Sequence, residues 1–134
     1  ESNFESLKND LSSLKGEFSK KMSSLTNKEF VTIHAAFGYL TNDFGLNQSS
    51  IADVFGEGEL TPKALENLIN YAKEKNVKVI FSESTASVKD AETLAKGAGA
   101  TVEKIYSLET KEDDLNYLDA MRYNLEKIYE SLSK

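Results

Sequence analysis

The side chains in this sequence that are best suited to chemistry are one imidazole and a few carboxylates. His34 is the only histidine, and the chain has no cysteine. His34 directly follows an apolar, β-branched run at residues 30–33, and Glu83 and Glu109 come shortly after two later runs of that kind. Imidazole nitrogen and carboxylate oxygen are ligands for divalent transition metals, zinc especially. Because two protein ligands leave the coordination incomplete, we expect other groups to complete such a site.

The acidic residues that follow His34 in the sequence favour a cation in the same region. Residues 31–60 contain four acids and no lysine or arginine, which gives the segment a charge of −4: Asp43, Asp53, Glu57 and Glu59. We expect Glu57 and Glu59, which follow a second predicted strand, to line the site and add negative potential. The alternatives are structural, namely a buried or helix-capping imidazole at His34 and solvated loop carboxylates elsewhere.

Enzymatic interpretations have less support in the sequence. Ser82, His34 and Glu109 could form a nucleophilic trio, but the Gly-x-Ser-x-Gly turn that presents such a serine is absent. Gly97 and Gly99 end a predicted helix instead of following a strand, so they are not a dinucleotide-binding motif. No pattern supports the paired carboxylates of a glycoside hydrolase. We therefore predict that the chain is not an enzyme.

Apolar periodicity predicts the elements that position these residues. Steps of three and four indicate one long amphipathic helix over residues 1–25, with its apolar stripe at Phe4, Leu7, Leu11, Leu14, Phe18, Met22 and Leu25. Four runs with strand character follow, at residues 30–33, 50–55, 77–81 and 101–106, alternating with helices at residues 35–44, 62–75, 87–97 and 115–132. This alternation is typical of a parallel sheet covered by helices on both faces.

We accordingly predict an α/β fold with a small four-stranded parallel sheet flanked by helices. The expected organisation is a linker helix over residues 1–28 and an α/β lobe over residues 29–134. Loops that leave the carboxyl ends of parallel strands converge at one edge, where ligands bind. That rule brings His34, Glu83 and Glu109 to a common edge.

The overall charge argues against two classes of partner. The chain has 16 Lys+Arg and 22 Asp+Glu, a net charge of −6, and no cluster of basic residues. Affinity for phosphate backbones and for anionic lipid depends on basic charge, so we expect neither nucleic acid nor a membrane surface as a partner. No apolar run approaches the roughly 20 residues that span a bilayer.

Several segments follow the order and spacing of a known family. The first is the strand-then-histidine segment at residues 30–40, Phe-Val-Thr-Ile-His-Ala-Ala-Phe-Gly-Tyr-Leu. The others are Phe44-Gly45-Leu46, residues 57–62, residues 79–83, Gly99-Ala100 and residues 117–129. Together they resemble the solute-binding proteins of zinc and manganese ABC transporters, the cluster A-I group. The resemblance covers essentially all of residues 1–134.

The resemblance implies the C-terminal lobe of a two-lobed extracytoplasmic lipoprotein, anchored to the outer face of the membrane. Such a protein binds a divalent metal between its lobes and delivers it to an ABC permease. The helix at residues 1–25 would link the lobes, and the N-terminal lobe, with two metal-binding histidines, the signal peptide and the anchor cysteine, is expected outside this chain. His34 and Glu109 match the two ligand positions of the family's C-terminal lobe. Glu83 is expected to orient His34 or a nearby backbone amide.

The histidine at position 34 also implies which metal is bound. Manganese-type members have a carboxylate there and zinc-type members a histidine, so the resemblance implies Zn²⁺, with Mn²⁺ as the alternative. We expect weak binding by this chain alone. The rival interpretation is a surface adhesin that binds host matrix. With the neighbouring lobe absent, Phe4, Leu7 and Leu11 are expected to be exposed and to favour dimerisation through the linker helix.

Overall fold

The fold is an α/β layer structure, seen in a computed structural model that describes residues 2–50, 61–83 and 88–134. The elements, in chain order, are α1 (Ser2–Ser23), β1 (Glu29–Thr32), α2 (Gly38–Phe44), β2 (Asn47–Ser50), α3 (Pro62–Glu74), β3 (Val79–Ser82), α4 (Val88–Ala98), β4 (Thr101–Lys104) and α5 (Tyr117–Leu132). The strands form one sheet in the order β2-β1-β3-β4, and every pairing is parallel. The predicted four-stranded parallel sheet is therefore confirmed.

Strand side chains alternate between two buried layers, as the pleat of a sheet requires. On one face the strand residues Phe30, Val79 and Phe81 pack with helices α1, α2 and α5, through Leu14, Phe18, Met22, Phe37, Leu125 and Ile128. On the other face Val31, Ile33 and Ile80 pack with α3 and α4, through Leu68, Ala72, Ala91 and Leu94. The sheet is thus covered by helices on both faces, and a site for an ion from solvent would have to lie at the ends of the strands.

Short sequence signals define one end of each of two helices. The Thr61 side chain caps α3 by accepting a hydrogen bond from the backbone N–H of Ala64 at 3.2 Å, and Pro62 is the first helical residue. Gly45 ends α2 with φ at 63°, the left-handed conformation that glycine adopts without a steric penalty.

The second strand differs from its prediction. It was expected at residues 50–55, whereas β2 is Asn47–Ser50 and residues 51–60 lie outside the described part of the chain. The four residues of β2 are polar, so hydrophobic patterning does not reveal them. They form the edge of the sheet, pairing from Glu29↔Asn47 to Thr32↔Ser50. Similarly, the helix expected from residue 35 begins only at Gly38.

Helix α1 is buried along its C-terminal half and exposed at its N-terminal end. Leu14, Phe18 and Met22 lie in the core, whereas Phe4 is 67% exposed and Leu7 is 46% exposed. The predicted exposure of this stripe is confirmed at Phe4 and Leu7, while Leu11 is half-buried. Dimerisation through it stays a prediction. Across the described segments, no helix combines the length and the apolar character needed to cross a membrane.

Asn124 on α5 ties the chain after β4 to the helix layer. It is fully buried, its Oδ1 accepts from the backbone N–H of Tyr106 at 2.9 Å, and its Nδ2 donates to the Tyr106 carbonyl at 2.8 Å. Replacing it with alanine leaves two buried backbone groups without partners. We expect Asn124→Ala to lower the free energy of unfolding by about 2–4 kcal/mol.

Urea denaturation at fixed pH measures this loss. The matched control is Asn70→Ala on the exposed face of α3, where alanine is a good helix former and the change should be about 0.5 kcal/mol or less. Equal effects of the two substitutions would show that the Asn124 hydrogen bonds do not secure this segment.

Candidate metal site

The sheet order brings the predicted ligands to one edge. Strands β1 and β3 are neighbours, and β4 lies on the far side of β3. His34 comes two residues after β1, Glu83 directly follows β3, and Glu109 lies five residues beyond β4. Since all strands are parallel, these three residues leave the sheet at the same, carboxyl edge.

The backbone at His34 is held by two polar side chains from neighbouring strands. The Thr32 hydroxyl donates to the His34 carbonyl at 2.6 Å, and Nε2 of Gln48 donates to the same carbonyl at 3.1 Å. Gln48 also donates to the Thr32 hydroxyl at 2.7 Å. Thr32 is fully buried, whereas the His34 side chain is 54% exposed. The imidazole therefore reaches solvent from a backbone position that the sheet secures.

Glu83 lies directly behind the imidazole. Its Oε2 is 3.6 Å from Nδ1 of His34, and the residue is only 2% exposed. This separation is longer than a hydrogen bond, and neither carboxylate oxygen has a hydrogen-bond partner among the described residues. Burial raises the pKa of Glu83, and the backbone N–H groups of Glu83 and His34 together with the imidazole offset part of that rise. The buried carboxylate thus lies beside Nδ1 of His34.

Glu109 lies in the loop between β4 and α5 and is exposed. Its backbone N–H makes a long, 3.5 Å contact with the Ser107 hydroxyl. The residue lines an open depression of about 390 Å³ together with Leu108 and Tyr117. Leu108, directly before it, has φ at 66°, an uncommon conformation for a branched side chain and one typical of turns under constraint. The Glu109 side chain is therefore exposed to solvent beside this depression.

Only some of the acidic residues predicted to surround His34 belong to the described part of the chain. Glu57 and Glu59 lie outside the described residues. Asp43, which contributes to the −4 charge of residues 31–60, is 3.0 Å from Lys15 of α1, so that ion pair offsets its charge. Within the described ranges, no three histidine or acidic residues are grouped closely enough to hold a metal ion.

The sequence pattern points to His34, Glu83 and Glu109 as candidate site residues, but it does not point to the residues that support them. Thr32 and Gln48 are polar residues in strands, and a single sequence offers no sign that both contact the same carbonyl. The order of the strands is the missing information, since residues 32 and 48 become neighbours only when β2 pairs with β1.

The buried Glu83 carboxylate should destabilise the metal-free chain near neutral pH. A raised carboxyl pKa means that stability is lost as pH rises from the usual glutamate pKa towards the folded-state value. We expect Glu83→Gln, which removes the charge, to raise the melting temperature at pH 7 and to have little effect near pH 4.

Thermal unfolding followed by circular dichroism at both pH values tests this expectation. Glu92→Gln on the exposed face of α4 is the control, and it should change stability by about 0.5 kcal/mol or less at either pH. A Glu83→Gln variant that melts below the parent chain at pH 7 would contradict the cost assigned to the buried charge.

Comparison with known proteins relates this geometry to a family. Residues 1–131 match the family model described as zinc-uptake complex component A, periplasmic. The chain is 44% identical over 124 residues to a putative metal-binding protein of Treponema pallidum, covering 92% of this chain and 39% of that protein. It is 46% identical over 110 residues to the high-affinity zinc uptake system protein ZnuA of Bacillus subtilis, covering 78% of this chain and 34% of that protein.

Solved structures agree with the fold. The laminin-binding protein Lmb of Streptococcus agalactiae, described as bifunctional with adhesin and metal-transporting activity, superposes with a TM-score of 0.86 at 36% identity. The match covers 96% of this chain and 50% of that one. The chain spans between a third and two fifths of the length of the two curated relatives. With the family model matching nearly its whole length, the chain belongs to the zinc-uptake complex component A family.

Proposed function

We propose that this chain is the metal-binding C-terminal lobe of an extracytoplasmic receptor that captures Zn²⁺ and delivers it to an ABC permease. The observation that carries the proposal is the half-exposed imidazole of His34, with the buried carboxylate of Glu83 at 3.6 Å from its Nδ1 and without a hydrogen-bond partner among the described residues. Family membership and the curated zinc-uptake relative support the same cargo.

The position of Glu83 determines which imidazole nitrogen is available. With Nδ1 beside a carboxylate, a proton on Nδ1 is favoured, and the lone pair of Nε2 is then available for a metal ion. Neutral imidazole suits zinc better than it suits manganese, which prefers oxygen ligands, so Mn²⁺ remains the alternative cargo.

In this proposal Glu109 supplies the second ligand from the neighbouring loop. Its exposed carboxylate belongs to the same sheet edge as His34, and Glu57 and Glu59 would add negative potential there. Four ligands are usual for zinc, so two more would come from an N-terminal lobe. The curated relatives are long enough to contain one, because this chain spans only 39% and 34% of them.

A metal site divided between two lobes would also explain how the ion is released to the permease. A closed cleft surrounds the ion with ligands from both sides, whereas opening the cleft leaves only the ligands of one lobe. Because fewer ligands hold the ion less tightly, opening at the permease would release it without any chemical step. The family description places these proteins in the periplasm, and we extend an extracytoplasmic, lipid-anchored location to the full-length form of this protein. No enzymatic step is part of the proposed function.

Adhesion to a host matrix is a second candidate function. The description of Lmb as both adhesin and metal transporter, together with its TM-score of 0.86 to this chain, supports it. Binding of the chain to immobilised laminin would favour adhesion, and it should be unaffected by His34→Ala if adhesion and metal capture use separate surfaces.

The single histidine makes the metal proposal directly testable by NMR. In a chain labelled with ¹⁵N-histidine, every imidazole signal belongs to His34. On addition of Zn²⁺ we expect Nε2 to shift on coordination while Nδ1 keeps its proton, with a dissociation constant in the micromolar range or weaker. Glu109→Gln should weaken binding by about tenfold or more, which is roughly 1.4 kcal/mol.

Glu126→Gln on the exposed face of α5 is the control, and it should leave the titration unchanged. Imidazole signals that do not move at saturating Zn²⁺ would refute His34 as a ligand. Tight one-to-one binding by this chain alone would refute the division of the site between two lobes.

A further inference from the structure

The loop that carries Glu109 is held at both of its ends. At its start, the buried Asn124 side chain makes two hydrogen bonds to the backbone of Tyr106. At its other end, Oδ2 of Asp113 accepts hydrogen bonds from Nζ of Lys104 and from the Tyr106 hydroxyl, both at 2.7 Å. Residues 107–112, with Glu109 among them, lie between these two attachments.

Further contacts join Lys104, Tyr106 and Asp113 at this end of the loop. Nζ of Lys104 lies 4.6 Å from the centre of the Tyr106 ring, and it is also 3.4 Å from a carboxylate oxygen of Glu112. Hydrogen bonds from Lys104 and Tyr106 lower the pKa of Asp113, so its carboxylate stays charged at neutral pH. One carboxylate oxygen thus connects the end of β4, a buried tyrosine and the far end of the loop.

The backbone near this attachment adopts conformations that need support. Asp113 and Asp114 have φ at 51° and 55°, and Leu108 has φ at 66°. Non-glycine residues occupy this left-handed region at an energetic cost, and they do so where surrounding contacts determine the conformation. Asp114 contributes no comparable contact, because its described ion pair is to exposed Lys111 at 3.5 Å. Asp113 therefore supplies the shortest contacts that hold this turn, at 2.7 Å, beside the 3.4 Å ion pair of Glu112 with Lys104.

We propose that Asp113 is a positioning residue that holds the loop in the conformation in which Glu109 is ready to bind the metal ion. This inference rests on the proposed function of Glu109 as a ligand. Asp113 is itself 58% exposed, and exposed ion pairs contribute little to global stability. We therefore expect Asp113 to affect how well ordered the loop is, and to have little effect on the stability of the fold.

A ligand on an ordered loop binds more tightly than the same ligand on a disordered one. The apparent dissociation constant equals the intrinsic one divided by the fraction of molecules in the competent conformation. If losing the Asp113 contacts reduces that fraction to between a third and a tenth, zinc affinity falls about threefold to tenfold. The binding chemistry of Glu109 itself is unchanged.

The test compares Asp113→Asn with Asp114→Asn in the 134-residue chain. Both positions have positive φ, which asparagine tolerates, and the two substitutions remove the same charge. We expect Asp113→Asn to lower the ¹⁵N order parameters of residues 108–112 and to weaken Zn²⁺ binding, measured on the His34 signals, by about threefold to tenfold. Asp114→Asn should change neither quantity, and both variants should keep the parent melting temperature within a few degrees.

A double-mutant cycle with Glu109→Gln shows whether the effect passes through Glu109. In that background Asp113→Asn should cause no further loss of zinc affinity. Unchanged order parameters in Asp113→Asn, or an equal loss of affinity with and without Glu109, would overturn the proposal. If Glu109→Gln alone leaves affinity unchanged, the proposed ligand is wrong, whereas the order parameters still decide whether Asp113 holds the loop.

Discussion

The parallel pairing of β1 with β3 is the constraint on which the candidate site depends. Val31 and Thr32 pair with Ile80 and Phe81, so the two strands end side by side. His34 and Glu83 leave those ends and meet, with Nδ1 of the imidazole 3.6 Å from the carboxylate. A shift of one residue in this register would move side chains to the opposite face of the sheet and separate the pair.

Apolar burial on both faces of the sheet stabilises the fold enough to tolerate a buried carboxylate at the end of these paired strands. The core residues beneath it, such as Phe81 and Ile80, are fully buried, and burying apolar area is the main favourable term in folding. That stabilisation offsets the cost of a carboxylate held away from water at Glu83.

The two candidate ligands are supported differently. Thr32 and Gln48 hold the backbone of His34 just beyond the end of β1, whereas Glu109 lies on a loop attached at Tyr106 and Asp113.

The fold class was predictable from the sequence, and a candidate location for the site could be proposed, because both depend on local patterns. Alternating apolar runs and helix caps such as Thr61 and Gly45 define the elements, and the carboxyl-edge rule then groups His34, Glu83 and Glu109. Strand β2 begins at Asn47, three residues before the expected start, because Asn47–Ser50 is polar and acquires its structure from pairing with β1. The supporting contacts of Gln48, Asn124 and Asp113 could not be predicted for a related reason. Each of them joins segments that are brought together only by the tertiary structure.

The central claim is that one cation binds His34 and Glu109 together at the carboxyl edge of the sheet. Titration of the ¹⁵N-labelled chain with paramagnetic Co²⁺, a substitute for Zn²⁺ at nitrogen and oxygen sites, locates the ion through the signals that broaden first. The account predicts that the signals of His34 and of residues 108–110 broaden together at the same low Co²⁺ concentration. Broadening confined to Asp113 and Asp114, with the His34 signals still sharp, would contradict it.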